Sequence, residues 1–201
     1  VDPLVRAKGA IGLRSAIVPK LQTTLALWRL DVASELLFVG DAGTTEPSRP
    51  NRRSGLEWAN WWTPRDWLTI DADFAWSRAR FNNDDPAGNR IPGAIEKTVS
   101  VGVSVDNLNR WFGGLRLRRF GARPLIEDNS VHSPPSTLVN LRVGYRFDRQ
   151  LKLTLDVLNL FDRKVSDIDY WYESRVTPDS AAAFGLPAEP RTLRLALQAG
   201  F

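Results

Sequence analysis

Thr137-Leu-Val-Asn-Leu-Arg-Val-Gly-Tyr-Arg-Phe147 alternates without a break. Val139, Leu141, Val143, Tyr145 and Phe147 share one face of an extended chain, and Asn140, Arg142, Gly144 and Arg146 share the other. Spacing of two is a strand pattern, whereas a helix needs spacings of three and four. After Asp148-Arg-Gln150 the pattern resumes, with Leu151, Leu153, Leu155 and Val157 opposing Lys152, Thr154 and Asp156. It returns at the far end, where Leu193, Leu195, Leu197 and Ala199 oppose Thr192, Arg194, Gln198 and Gly200. Upstream, Val99 to Val105 alternate with Thr98 to Ser104, and Leu68, Ile70, Ala72, Phe74 and Trp76 alternate with Thr69, Asp71 and Asp73.

Alternation alone also suits a soluble β-sandwich with one wet face. Two features argue for a membrane barrel instead. Charge sits in mid-strand on the polar face (Asp71, Asp73, Arg142, Asp156), which suits a wet lumen. The connections also alternate, short near residues 18–20, 63–66, 106–110 and 148–150, and long near 40–53, 82–93, 123–136 and 164–189. Outer-membrane barrels keep this rhythm of short periplasmic turns and longer extracellular loops. The reading is all-β: an antiparallel transmembrane β-barrel of the up-and-down meander type, present as a partial barrel of about nine strands, each near the spanning length. With the last strand running toward the periplasm, the first begins outside. Such an odd set is not a complete even-stranded barrel, so residues 1–201 are expected to be the C-terminal part of a larger one.

Composition agrees with this reading. The 201 residues include eight Trp, nine Phe, one His, no Cys and no Met, with a net charge of +4. No apolar run approaches the roughly 20 residues of a spanning helix. Trp61, Trp62, Trp67 and Trp111 flank short turns, as an aromatic belt at the periplasmic interface would. The basic residues are scattered and interleaved with Asp and Glu, without a basic helix, zinc-finger spacing or RNP-like motif. Nucleic acid is therefore not an expected partner; outer-membrane lipid and lipopolysaccharide are. Without Cys, disulfide and thiol chemistry is excluded.

The segment Leu153-Thr-Leu-Asp-Val-Leu-Asn-Leu-Phe-Asp162 closely resembles the NLFD stretch near the C-terminus of TonB-dependent receptors. An aromatic loop follows, Asp169-Tyr-Trp-Tyr-Glu-Ser-Arg175, then Glu189-Pro-Arg191 and a strand ending in Phe201. Phe38–Gly43, Ile91–Glu96 and Phe120–Ser130 are similar to the same family. The resemblance implies a Gram-negative outer-membrane receptor for a scarce nutrient, a ferric siderophore foremost. Ligand would bind on extracellular loops, and passage would be gated by a plug. The plug, the first thirteen or so strands of a barrel of about 22, and the contact with TonB made through that plug have no counterpart in these residues. Phe201 is similar to the signal read by the barrel-assembly machinery.

Candidate ligand contacts are Tyr170, Trp171, Tyr172 and Arg175, which combine aromatic surface with a bidentate cation. Arg119, Arg123, Glu127 and His132 form a second group. Belt packing and lipopolysaccharide contact are the competing roles for each. No enzyme is expected, and no catalytic residue, metal or cofactor is assigned. A Ser–His hydrolase would have to use His132, the sole His, and no phosphate-binding or dinucleotide motif is present. Asp71 and Asp73 could hold Ca²⁺ or act as an acid/base pair, but pairing with Arg of an adjacent strand is simpler. A passive pore or structural barrel, and a soluble β-sandwich binding module, are the alternative readings.

Overall fold

A computed structural model describes residues 5–39, 44–82, 85–173 and 181–200. Nine strands form one antiparallel sheet: β1 (Val5–Ser15), β2 (Leu21–Val32), β5 (Asn51–Arg65), β6 (Leu68–Phe81), β7 (Lys97–Leu108), β8 (Trp111–Phe120), β9 (Ser136–Arg146), β10 (Leu151–Leu158) and β13 (Thr192–Ala199). Two separate hairpins, β3 (Leu36–Val39) with β4 (Thr44–Pro47) and β11 (Ser166–Glu173) with β12 (Ala181–Pro187), lie inside two of the long connections. Each wall strand pairs with the next wall strand in the chain, so the sheet is a pure meander. It has no second layer among the described residues, which removes the sandwich alternative. The sheet is not closed: β1 and β13 are its two edges.

The short turns have local causes. Asn109 and Arg110 between β7 and β8 both adopt positive φ, 47° and 74°, and Leu108 pairs with Trp111. Two consecutive left-handed residues make the turn whose twist matches that of the flanking strands. Between β9 and β10, Asp148 Oδ1 accepts from the amides of Gln150 and Leu151 at 2.7 and 2.8 Å. This side-chain cap stands in for a backbone turn. All four short connections lie at one end of the sheet and all four long ones at the other, because every strand reverses direction.

Registers put the alternating apolar residues on one continuous face. Leu13 opposes Leu25, which opposes Trp58, then Phe74, then Val99. Further along, Leu115 opposes Leu141, and Val143 opposes Leu155, which opposes Leu195. Most of these side chains are exposed, Leu195 at 72%, and Phe74, Val99 and Leu141 are half-buried. A chain of side-chain hydrogen bonds crosses this face. Trp58 Nε1 donates to Thr23 Oγ1, Thr23 Oγ1 to Asn60 Oδ1, and Asn60 Nδ2 to the Ala72 carbonyl. Trp111, Tyr145 and Phe147 form an edge-to-face chain at the turn end of the same face, with centroids 4.9 and 5.1 Å apart. Trp62 belongs to this face too, since it pairs with Ile70. Trp61 pairs with Asp71 and so faces the other way. A one-residue step along a strand reverses the face, which splits the Trp61–Trp62 pair.

Candidate functional site

The polar face carries a lattice of ion pairs. Arg116 on β8 donates to both oxygens of Asp71 on β6, and its Nη1 also reaches Ser100 Oγ at 3.1 Å. Asp71 was expected to meet an arginine of an adjacent strand; its partner comes from two strands away, across Gly102. Arg142 on β9 holds Asp156 on β10 through Nε and Nη2 at 2.6 and 3.0 Å. Arg194 on β13 is the cross-strand neighbour of Asp156. Together with Asn140 and Phe112, these arginines line an open groove of about 480 Å³. Phe112 lies over Gly144, where an added Cβ would stand 2.1 Å from the ring. A small residue thus gives the aromatic a seat, and Arg146 stacks on it 4.5 Å from the centroid.

At the loop end the long connections are tied to one another. Arg49, just before β5, donates to Glu127 in the β8–β9 connection. It also donates to the Gly88 carbonyl at 3.2 Å and pairs with Asp85 at 3.1 Å, both in the β6–β7 connection. The guanidinium sits 4.2 Å over the Phe81 ring. Beneath it, Ala79, Phe81 and Ile91 form a small buried cluster with Leu37 and Ala94 against it. One cation therefore joins three connections. Burial pushes the Glu127 carboxyl above its ordinary value, against the lowering pull of Arg49 and with a further push from Asp85.

Arg123 makes the other junction. Its Nη2 lies 3.2 Å from Asp169 Oδ2 on β11, with the two side chains 16% and 10% exposed. A cavity of about 190 Å³ opens beside this pair, bounded by Arg118, Ser133, Pro134 and Asp167 among others. On the β11–β12 hairpin, register places Tyr170 and Tyr172 on one face, and Tyr172 stacks on Phe184 at 4.3 Å. Trp171 lies on the opposite face with Asp169. Arg175 and Phe201 lie outside the described residues.

The first aromatic group therefore shares one hairpin but not one face. The second group is not one cluster. Arg119 is on the apolar face, opposite Val99 and Thr137, and donates to Thr137 Oγ1 at 3.0 Å. Arg123 joins the β11–β12 hairpin, and Glu127 joins Arg49. His132 Nε2 lies 3.0 Å from Asn129 Oδ1, a local contact within its own loop. Arg49, Asp85 and Asp169 escaped sequence reasoning because their partners lie tens of residues away. Arg116 and Arg118 were within reach: Leu115-Arg-Leu-Arg118 alternates, and that pattern alone puts both arginines on the polar face.

Comparison with known proteins agrees with this geometry. The family model described as TonB dependent receptor-like, beta-barrel matches residues 11–160. Among solved structures, the ferric yersiniabactin uptake receptor FyuA from Yersinia pestis is similar with a TM-score of 0.78 at 18% identity. The match covers 96% of this chain and 29% of that one. The closed form of the ferric-catecholate import receptor Fiu from E. coli K12 gives 0.72 at 22% identity, covering 96% and 27%. The copper transporter OprC gives 0.74 at 20%, covering 96% and 30%. The chain thus spans less than a third of the length of each, and at these identities the likeness concerns the fold.

Proposed function

Because the chain belongs to the TonB-dependent receptor β-barrel family, a family of transport receptors, we propose that residues 1–201 are the C-terminal part of a receptor barrel in a Gram-negative outer membrane. The receptor takes up a scarce nutrient, foremost a ferric siderophore. Ligand meets the extracellular connections first, and the plug that gates passage and reaches TonB is formed by other residues. The apolar face is the lipid-facing wall and the polar face the lumen. Phe201, two residues past Ala199 in the sequence, serves as the signal for the barrel-assembly machinery.

The observation that carries this reading is the tying of the long connections over the arginine-lined face. Arg49 and Arg123 order the connections at the loop end, above a polar face lined by Arg116, Arg142 and Arg194, each paired with a carboxylate. Tyr170, Trp171, Tyr172 and Arg175 offer aromatic and cationic contact on the last loop, with Arg123 holding that loop's stem. The ferric import receptors among the similar structures support iron as the cargo, and the copper transporter supports bare metal uptake as the reading to exclude.

The test is accumulation of radioactive iron in cells whose own siderophore receptors are deleted and which express the whole protein. Catecholate, hydroxamate and citrate chelates are supplied separately, with copper as a parallel arm. Uptake of one iron chelate that vanishes in a strain lacking TonB is the expected result. Uptake that persists without TonB makes the protein a passive pore, and copper uptake alone removes the siderophore assignment.

A further inference from the structure

One same-face step toward the loop end from the Asp71–Arg116 pair, the polar face repeats its three-strand arrangement with a different result. Asp73 on β6 pairs in register with Ser100 on β7, and Ser100 with Arg118 on β8. Ser100 stands where the row below has Gly102, and its Oγ accepts from Arg116 Nη1 at 3.1 Å. The passage that lets Arg116 cross to Asp71 is filled here. Arg118 lines instead the cavity beside the Arg123–Asp169 pair, exposed and, among the described residues, without a carboxylate partner.

Ser133 adds a second donor to the same cavity. It is only 4% exposed, and its Oγ accepts from the Arg123 amide at 3.2 Å. Its own hydroxyl proton has no acceptor among the described residues, whereas buried polar groups ordinarily find their partners. A shielded hydroxyl and a free guanidinium on one cavity call for an acceptor. A carboxylate is the planar acceptor that a guanidinium matches with two parallel N–H bonds. The rest of the lining narrows the class. Arg123 and Asp169 neutralise each other, while Asp167 lines the cavity without an ion-pair partner among the described residues. Arg118 and Asp167 then balance in charge, so a monoanion fits better than a dianionic phosphate, which Asp167 repels more strongly. Pockets for whole small ligands run to about 300–1,000 Å³; at about 190 Å³ this cavity takes one arm of a larger molecule.

We propose that this cavity seats a free carboxylate arm of the cargo chelate, held by the Arg118 guanidinium and the Ser133 hydroxyl. The cargo is thereby a chelate with at least one carboxylate not spent on its metal, and Arg118 is the residue that selects it. This rests on the reading of the chain as part of a siderophore receptor.

The test is binding of radioactive iron chelates to the whole receptor, purified in neutral detergent. Ferric citrate and N-succinyl ferrioxamine B carry free carboxylates; N-acetyl ferrioxamine B and a ferric tricatecholate do not. The parent is expected to bind at least one of the first two and to prefer it over the others. Arg118→Gln is expected to weaken that binding at least about tenfold, the scale of hydrogen bonds to a charged group. Arg118→Lys, which keeps the charge but not the paired donors, is expected to fall between them. A parent that binds only the chelates without a free carboxylate, or none of the four, overturns the proposal without any variant. So does an Arg118→Gln receptor that binds like the parent. In each of those cases, TonB-dependent accumulation of any iron chelate in cells leaves the receptor reading standing. Absence of TonB-dependent accumulation with every chelate removes both.

Discussion

Arg116 on β8 grips Asp71 on β6 across an intervening strand, with Nη1 and Nη2 at 2.9 and 2.8 Å from the two carboxylate oxygens. The residue between them in register is Gly102. A Cβ there would stand 2.4 Å from Asp71 Oδ1 and 2.6 Å from Arg116 Nη2. Glycine in mid-strand ordinarily weakens a sheet; here its missing side chain is the passage through which the pair forms. Asp71 is only 5% exposed, so a lost partner leaves a carboxylate with little water in reach.

Gly102→Ala is accordingly expected to destabilise the protein by about 1–3 kcal/mol, the cost of breaking charge-assisted hydrogen bonds to a shielded group. Gly9→Ala on β1, where an added Cβ meets nothing within 4 Å, is the control and should be neutral or better. Urea unfolding from vesicles, followed by tryptophan fluorescence, reads both. Equal stability of the two variants would show that the pair forms by another route.

The second prediction concerns Arg123 and Asp169, which join residues 46 positions apart. Arg123→Gln and Asp169→Asn should each release the β11–β12 hairpin from the β8–β9 connection. Hydrogen exchange at the amides of Tyr170, Trp171 and Tyr172 is expected to quicken about tenfold in either variant, equivalent to about 1.4 kcal/mol of local opening. Arg123 also donates to the Asp167 carbonyl at 3.4 Å, so the double variant should be no faster than Arg123→Gln alone, in which the Asp169 pair is already gone. Additive effects would mean that each side chain works through a different partner.

The wall was legible in the sequence and the rim was not. Alternation from Leu151 to Val157 assigns every side chain to a face, because a strand's period is two and needs no partner to define it. The same rule covers Arg142 and Asp156, which meet on adjacent strands. It does not reach Arg49 with Glu127, 78 residues apart, since nothing local in either loop marks the other. The hairpins β3–β4 and β11–β12 are hidden in the sequence, because four-residue strands hold barely two periods of alternation and the runs Tyr170-Trp-Tyr172 and Ala181–Ala183 put like residues on both faces. Arg119 was grouped with Arg123 by closeness in sequence. Yet the chain leaves β8 between them, so one lies on the apolar face and the other at the hairpin.

The third prediction gives the Asn159-Leu-Phe-Asp162 stretch a physical role. Asn159 and Asp162 both adopt positive φ, 49° and 51°, which asparagine and aspartate tolerate better than most residues. Asn159 is buried; its Nδ2 donates to the carbonyls of Arg163 and Glu189 at 2.9 and 3.2 Å, and its Oδ1 accepts from the Arg163 amide at 2.9 Å. Asp162 Oδ1 accepts from the Arg191 amide at 3.0 Å. The motif fastens the end of β10 to the start of β13 across the last long connection. Asn159→Ala strands these partners and should cost about 2–3 kcal/mol, seen as reduced folded protein in the outer membrane. Asp162→Asn keeps the acceptor oxygen and should lose much less. If the two variants fold equally well, the clamp is not what holds β13 in place.

The fourth prediction is a pH dependence at the loop end. Burial holds the Glu127 carboxyl above its ordinary value of 4.5, and Asp85 adds to this while Arg49 opposes it. A carboxyl with a raised folded value binds its proton more tightly in the ordered loops than in a released chain. Its contribution to loop order is therefore fully present below about 4.5 and is lost as pH rises through the higher folded value. Acidification from neutral pH should, through this group, tighten the junction of the β6–β7 and β8–β9 connections. Glu127→Gln, which is neutral at every pH, should abolish that step. Arg49→Gln should raise the Glu127 value further, because the one lowering influence is gone. Carbon-13 titration of the Glu127 carboxyl measures the two values directly, and protease cleavage within residues 85–90 follows the junction at each pH. A Glu127 that titrates below 4.5 would reverse the sign, making the Arg49 pair rather than burial the dominant effect, and acid would then loosen the loops.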